Sequence, residues 1–184
     1  MPDTVAILGA GPLGRWLAQA AAHAGFCVLL EDVMPASLHH AQELLRQQLG
    51  QEELPNVAFV STIEEAVRNA DLVIDCVPDE LESKLEILWL LDRMAPPRAV
   101  FATPTTHLSI IDLAACTYRP EKCVAIAADA SALAGNPISA SGARPEILLV
   151  ISTCTEIQTV ALLSRFWRKL GFAPRFSSDP GQEL

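Results

Sequence analysis

Thr4-Val5-Ala6-Ile7-Leu8-Gly9-Ala10-Gly11-Pro12-Leu13-Gly14 is an apolar run that breaks into the glycine spacing G-x-G-x-x-G. The run predicts a buried strand, and the glycines predict a tight turn into a helix. Gly9 permits the turn, Gly11 lets the backbone approach a pyrophosphate, and Gly14 lets the helix pack close to the sheet, with Ala10, Pro12 and Leu13 between them. The N-terminus of that helix offers free N–H groups and a positive dipole end to phosphates. A second apolar run, 26–31, closes on the acidic pair Glu31-Asp32. Asp32 stands near the roughly 20-residue distance at which an acid accepts hydrogen bonds from a ribose. Pattern, flanking strand, following helix and ribose acid together imply a dinucleotide cradle. A 2′-phosphate beside Glu31 and Asp32 would be repelled, and Val33, Met34 and Pro35 bring no Arg to neutralise it, so NAD is favoured over NADP.

Strand and helix signals alternate along the rest of the chain. After the strand 4–9 comes a helix over 12–25, with Trp16, Leu17, Ala20, Ala21 and Ala24 on one face and Gly25 at its end. Strand 26–31 precedes a helix from about Pro35 to Leu49. Val57–Val60 is a short strand, and Thr62 with Glu65 forms a capping-box pattern for a short helix. Leu72–Ile74, Ala99–Ala102, 123–127 and 147–152 are further strands. Helices are expected over Glu80–Met94, 109–116 and 156–170, and 128–143, rich in Ala, Ser and Gly, reads as a loop. This β-α-β alternation predicts an α/β fold with a Rossmann-type, doubly wound, mostly parallel sheet, formed as one domain over 1–184, with a ligand at the carboxyl ends of the strands.

Bulk properties narrow the classes of function. The formal net charge is −9, and no lysine precedes Lys84. That argues against nucleic acid or an anionic membrane as a partner. The hydrophobic fraction of 51% suits strands buried on both faces, and it also suits a surface that docks another chain. A homodimer is the expected use of that surface. Cys27, Cys76, Cys116, Cys123 and Cys154 lack C-x-x-C spacing and are expected as buried free thiols in a reducing compartment. With no signal-peptide pattern and no spanning segment, a cytoplasmic location is expected.

Several segments carry a family likeness. They are Val5–Gly14 with Gly25, Phe26 and Asp32, then Asn69–Asp75 continuing through Val77-Pro78-Asp79 to Lys84. Phe101–Ile110, Arg119-Pro120-Glu121 and Arg168–Gly171 continue it. On these residues the chain resembles the N-terminal NAD-binding domain of L-3-hydroxyacyl-CoA dehydrogenases, enzymes of fatty acid metabolism, over almost its whole length. The resemblance implies cofactor contacts from Gly9, Ala10, Gly11, Pro12, Leu13, Gly14 and Asp32. It also puts Asp79 and Lys84 beside the nicotinamide end; without it, that pair reads as a solvated pair near a helix start. Ser178-Asp179-Pro180-Gly181 resembles the segment that leads into the family's second, helical domain, which is expected to be missing.

The family's catalytic residues do not carry over. There a His takes the proton from the 3-hydroxyl and a Glu orients that His; imidazole supplies a base with a pKa near the working pH. Matched from Arg119-Pro120-Glu121 onward, the His falls on Ala127, an Asn that helps hold substrate and cofactor on Ala130, and the Glu near Leu148. Sliding the match brings Asn136 and Glu146 into the Asn and Glu places, but the His then falls on Leu133. No histidine follows His107. The family's Ser position is Thr106, and His107 beside it is a candidate displaced base, with Asp129 a further candidate. His23, His39 and His40 read as helix-surface residues. The second helix offers Arg46, Gln47 and Gln48 but no lysine where the family meets CoA.

Three functions stay open at this point. One is a stand-alone NAD(H)-binding domain without dehydrogenase activity of its own. The second is an oxidoreductase acting on an acyl-CoA, completed by a partner chain, with Thr106 and His107 as catalytic residues. The third is a docking subunit with a vestigial groove.

Overall fold

The computed structural model describes residues 3–128 and 144–179. Eight strands among them form one sheet, ordered β3-β2-β1-β4-β5-β6-β7-β8. The strands are β1 (Thr4–Leu8), β2 (Cys27–Glu31), β3 (Val57–Val60), β4 (Leu72–Asp75), β5 (Val100–Pro104), β6 (Cys123–Ile126), β7 (Glu146–Ile151) and β8 (Ala173–Ser178). The helices are α1 (Pro12–His23), α2 (Pro35–Gln48), α3 (Ile63–Val67), α4 (Leu81–Met94), α5 (Ile110–Ala114) and α6 (Ile157–Lys169). Strands β3 to β6 pair in parallel; β7 turns antiparallel to β6, and β8 follows β7 in parallel. The mostly parallel, doubly wound α/β expectation therefore holds.

Alternation along β1 shows why the sheet needs helices on both sides. Val5 and Ile7 join a core with Leu17, Leu45, Leu163 and Trp167, from α1, α2 and α6. Ala6 and Leu8 join a second core with Val67, Leu88, Leu91 and Leu113, from α3, α4 and α5. Strands apolar on both faces cannot meet water, and the crossover helices cover them. Strand order reverses between β1 and β4, and the two connections leave in opposite directions there, which opens a crevice above the strand ends.

Three sequence expectations are corrected. The buried face of α1 is Leu13, Gly14, Leu17, Ala18, Ala21 and Ala22, rotated from the expected one. Trp16 and Ala24 are only partly buried against the core, and Trp16 meets Phe172 edge-on at 5.9 Å. Gly14 has to face the sheet, and that requirement sets the helix rotation. The cysteines are free, but only Cys123 is fully buried and Cys154 is exposed. Strand β8 was not expected, because Pro174 and the polar Arg175, Ser177 and Ser178 hide it; an edge strand tolerates a proline and needs only one apolar side. Beyond it, Asp179 accepts hydrogen bonds from the Ser109 hydroxyl at 2.8 Å and the Ile111 N–H at 3.2 Å, tying this segment to the start of α5. No helix among the described residues is long and apolar enough to cross a membrane.

Candidate functional site

The glycine turn sits at the crevice, with its geometry fixed by close contacts. Gly9 has φ +102, a left-handed value, and its N–H donates to the Glu31 carbonyl at 2.8 Å. A Cβ on Gly14 would lie 1.8 Å from the Gly9 carbonyl oxygen, whereas a Cβ on Gly11 would meet nothing within 4 Å. So Gly14 is required by the fold itself, while Gly11 keeps space open above the turn. No side chain caps α1, which leaves its first N–H groups for a ligand.

Two cavities flank Gly11 and share Cys76 and Val77. The first, of about 460 Å³, includes Gly14, Asp79, Thr106 and His107 in its lining. The second, of about 320 Å³, includes Glu31, Asp32, Val33, Ile63 and Pro78. Asp32 accepts hydrogen bonds from the Ala10 N–H and the Met34 N–H, both at 2.8 Å. Its carboxylate thus clamps the glycine turn to the end of β2 and retains acceptor capacity for a further donor. Ala10 and Leu13 are buried beneath the turn, and Pro12 is exposed at the helix start.

On the other side Asp79 is the hub. Its Oδ2 accepts from the Thr106 N–H at 2.9 Å and the Thr106 hydroxyl at 3.3 Å, and His107 Nδ1 lies 3.3 Å from the same oxygen. Burial acts to raise the Asp79 pKa, but hydrogen bonds from Thr105 and Thr106 and the His107 and Lys84 charges outweigh it and hold the carboxyl below its ordinary value.

Lys84 is not in this network, nor is it solvated. It is fully buried, and its Nζ lies 2.6 Å from Asp75 Oδ1. Asp75 ends β4, so the pair holds the strand from which Cys76 and Val77 emerge to floor both cavities. The reading of Asp79 and Lys84 as a solvated pair is thereby corrected: one residue in each position found a different partner. Spacing alone put Lys84 near a helix start, and only the packing of α4 on β4 turns it inward.

Of the positions matched to the family's catalytic residues, Ala127 and Leu148 are neighbours: the Ala127 N–H donates to the Leu148 carbonyl at 2.9 Å. The position matched to the family's His thus lies across the β6–β7 ladder from Leu148, near which the Glu match falls. Glu146, the alternative Glu place, lies at the start of β7 and pairs with Arg175 at 3.2 Å. Asp129, Ala130, Leu133 and Asn136 lie outside the described residues, as does all of the stretch 128–143 expected as a loop apart from Ala128. His23, His39 and His40 are exposed on α1 and α2. No cluster of three or more metal-ligating side chains occurs among the described residues.

The fold agrees with that of known proteins. Residues 4–127 match the family model described as 3-hydroxyacyl-CoA dehydrogenase, NAD binding domain. The chain belongs to this family. A probable 3-hydroxybutyryl-CoA dehydrogenase of Bacillus subtilis (strain 168) is 32% identical over 133 residues, covering 65% of this chain and 46% of the relative. An L-carnitine dehydrogenase of Burkholderia mallei is 31% identical over 182 residues, covering 94% of this chain and 54% of the relative. The crystal structure of a 3-hydroxyacyl-CoA dehydrogenase from Archaeoglobus fulgidus superposes with a TM-score of 0.78 at 27% identity, covering 98% of this chain and 58% of that one. The chain spans about half the length of the curated relatives it matches. As a 3-hydroxyacyl-CoA dehydrogenase NAD-binding domain it takes NAD, and the open space over Gly11, the uncapped α1 and the Asp32 carboxylate all fit that cofactor.

Sequence reasoning missed two features of the site. Asp75 was not recognised as the partner of Lys84. Glu31 was considered only for its charge beside a ribose phosphate, yet it is 3% exposed. Its alternation with Leu29 along β2 was the available signal, since it turns both side chains towards α3 and α4.

Proposed function

We propose that NAD(H) lies across Gly11, with its adenosine half in the cavity beside Asp32 and its nicotinamide half in the cavity beside Asp79 and Thr106. On this reading Lys84 serves the groove from below, by fixing Asp75 and hence Cys76 and Val77. We further propose that the chain by itself does not oxidise a 3-hydroxyacyl thioester. The observation that carries this is the Ala127–Leu148 neighbourhood. Bound NAD supplies a hydride acceptor, but alcohol oxidation also releases the hydroxyl proton, and a methyl and an isobutyl group stand where an imidazole and a carboxylate would take it. Positioned acid–base help contributes about 10²–10⁴ in rate, and Thr106 has no basic group to replace it. Calorimetric titration with NADH is expected to show binding, while 3-hydroxybutyryl-CoA with NAD leaves absorbance at 340 nm unchanged. Turnover at rates ordinary for a dehydrogenase overturns the second half of this reading, and no heat with NADH overturns the first.

One observation favours a second reading, an oxidoreductase completed by a partner chain. His107 is held by Asp79 at 3.3 Å on the wall of the same cavity as Thr106. That is a base with an orienting acid, displaced from the family's place. It predicts that turnover appears only with the partner present and disappears in His107→Ala. Trp89 and Tyr118 are exposed, and a partner or second copy would cover such side chains.

A further inference from the structure

Glu31 is the one buried carboxyl of the crevice that the placement of NAD above leaves without a task. It ends β2, 3% exposed, and its Oε1 is buried with no hydrogen-bond partner among the described residues. Its strand neighbours are Leu8 on β1 and Val60 on β3. Ile63 of α3 and Ile87 of α4 line the same cavity. All four are apolar, so nothing in the wall repays the lost hydration of that oxygen. Buried polar atoms in native proteins are almost always paired, and an orphan on the wall of an open cavity points to a ligand group.

We propose that Glu31 reads the base of the bound nucleotide, its protonated carboxyl donating to a ring nitrogen of adenine and accepting from the 6-amino group. The inference rests on the adenosine half occupying the cavity beside Asp32. Adenine presents a donor and an acceptor side by side, the pattern that a side-chain amide matches with two parallel hydrogen bonds. A neutral carboxyl carries the same pair, one O–H donor and one carbonyl acceptor. An ionised one has no donor and turns a lone pair towards the ring nitrogen.

The surroundings favour the neutral form. Burial, helped by the Asp32 charge, pushes the Glu31 pKa up to about 7. No cation offsets this. Asp32, which accepts from the Ala10 and Met34 amides, is the charged group facing it from its own strand end. Cys76, from the end of β4, has its thiol pushed up by burial and stays neutral. On α4, Lys84 is bound to Asp75, and on α3, Glu64 is exposed and pairs with Arg68. Adenine binding thus takes up a proton whenever Glu31 starts out ionised.

The test is calorimetric titration of the whole chain and two variants with NADH and with ADP-ribose, which is the same dinucleotide without its nicotinamide, at pH 6 and pH 8.5. Unaltered protein is expected to bind both ligands roughly tenfold more weakly at the higher pH. Glu31→Gln, which keeps one donor and one acceptor without ionising, is expected to bind equally at both and as tightly as the parent at pH 6. Glu31→Leu is expected to lose roughly tenfold at pH 6 while its thermal transition stays intact, for the two lost contacts. If the parent binds NADH and ADP-ribose but neither pH nor Glu31→Leu changes their affinity, base reading by Glu31 is wrong and the groove assignment survives. If the parent binds neither, both fall together.

Discussion

The two ends of the crevice are built on different principles. At the Asp32 end the parts are backbone and buried or half-buried groups: the Gly9–Gly14 turn, Asp32 clamped onto the Ala10 amide, and Glu31 between Leu8 and Val60. At the Asp79 end the polar parts are partly exposed: Asp79 is 31% exposed and His107 61%, and the position matched to the family's base is Ala127. A buried end is fixed by the core, so a change there is paid in stability or binding; a solvated end can lose or exchange side chains with little effect on folding. That contrast is what lets side chains at the Asp79 end depart from the family's pattern while the glycine turn keeps to it.

The largest expected effect lies beneath the crevice. Lys84→Met leaves Asp75 buried and unpaired, with a cost of about 3–5 kcal/mol, seen as a loss of roughly 10 °C in the thermal transition. Adding Asp75→Leu is expected to recover most of it; a double variant as unstable as the single one breaks the pairing argument. Gly14→Ala puts a methyl against the Gly9 carbonyl and is expected to cost on the order of 3 kcal/mol. Gly11→Ala sets the contrast, because its Cβ meets open space: denaturant unfolding stays unchanged while NADH affinity drops at least tenfold, about 1.4 kcal/mol. Equal stability loss in the two glycine variants would contradict the crevice geometry.

Glu31 adds a pH signature to the buried end. Its carboxyl titrates near 4.5 in the unfolded chain and about 7 in the fold, so between those values the fold holds a proton that the unfolded chain has lost. Its contribution is complete below about 4.5 and is lost as pH rises through 7, amounting to about 3 kcal/mol. Glu31→Gln is therefore expected to raise stability above pH 7, and to remove that slope in urea titrations from pH 5 to 8. Asp79 has the opposite sign, since its lowered carboxyl supports the fold above the ordinary carboxylate range and stops doing so as pH falls. The smallest effect is expected at the solvated end, where His107→Ala changes stability by less than about 0.5 kcal/mol; a larger loss sharpens the case that the His107–Asp79 contact has structural weight.

Much of this was legible in the chain itself. Apolar period and capping residues located β1 to β7 and the helices α1 to α6 of the described residues, including the Thr62 hydroxyl that accepts from the Glu65 N–H at 3.3 Å. The turn at Gly9–Gly14 was legible because each glycine answers a local demand of the backbone. Strand β8 was not, since an edge strand carrying Pro174 has no alternation to read. The reversal of β7 was not legible either, because strand direction depends on where the preceding segment delivers the chain.

Sequence alone determined the βαβ alternation, the phosphate turn, the acid at Asp32 and the lack of any histidine beyond His107, because these depend on residue type and short-range spacing. Tertiary structure alone decided that Lys84 pairs with Asp75 in the interior, that Asp79 gathers Thr106 and His107, that Ala127 faces Leu148, and that Glu31 is buried in the wall of a cavity. The reason is physical: whether a charge is solvated or buried, and against which partner, depends on groups brought together from distant parts of the chain, and no local pattern encodes that dielectric environment.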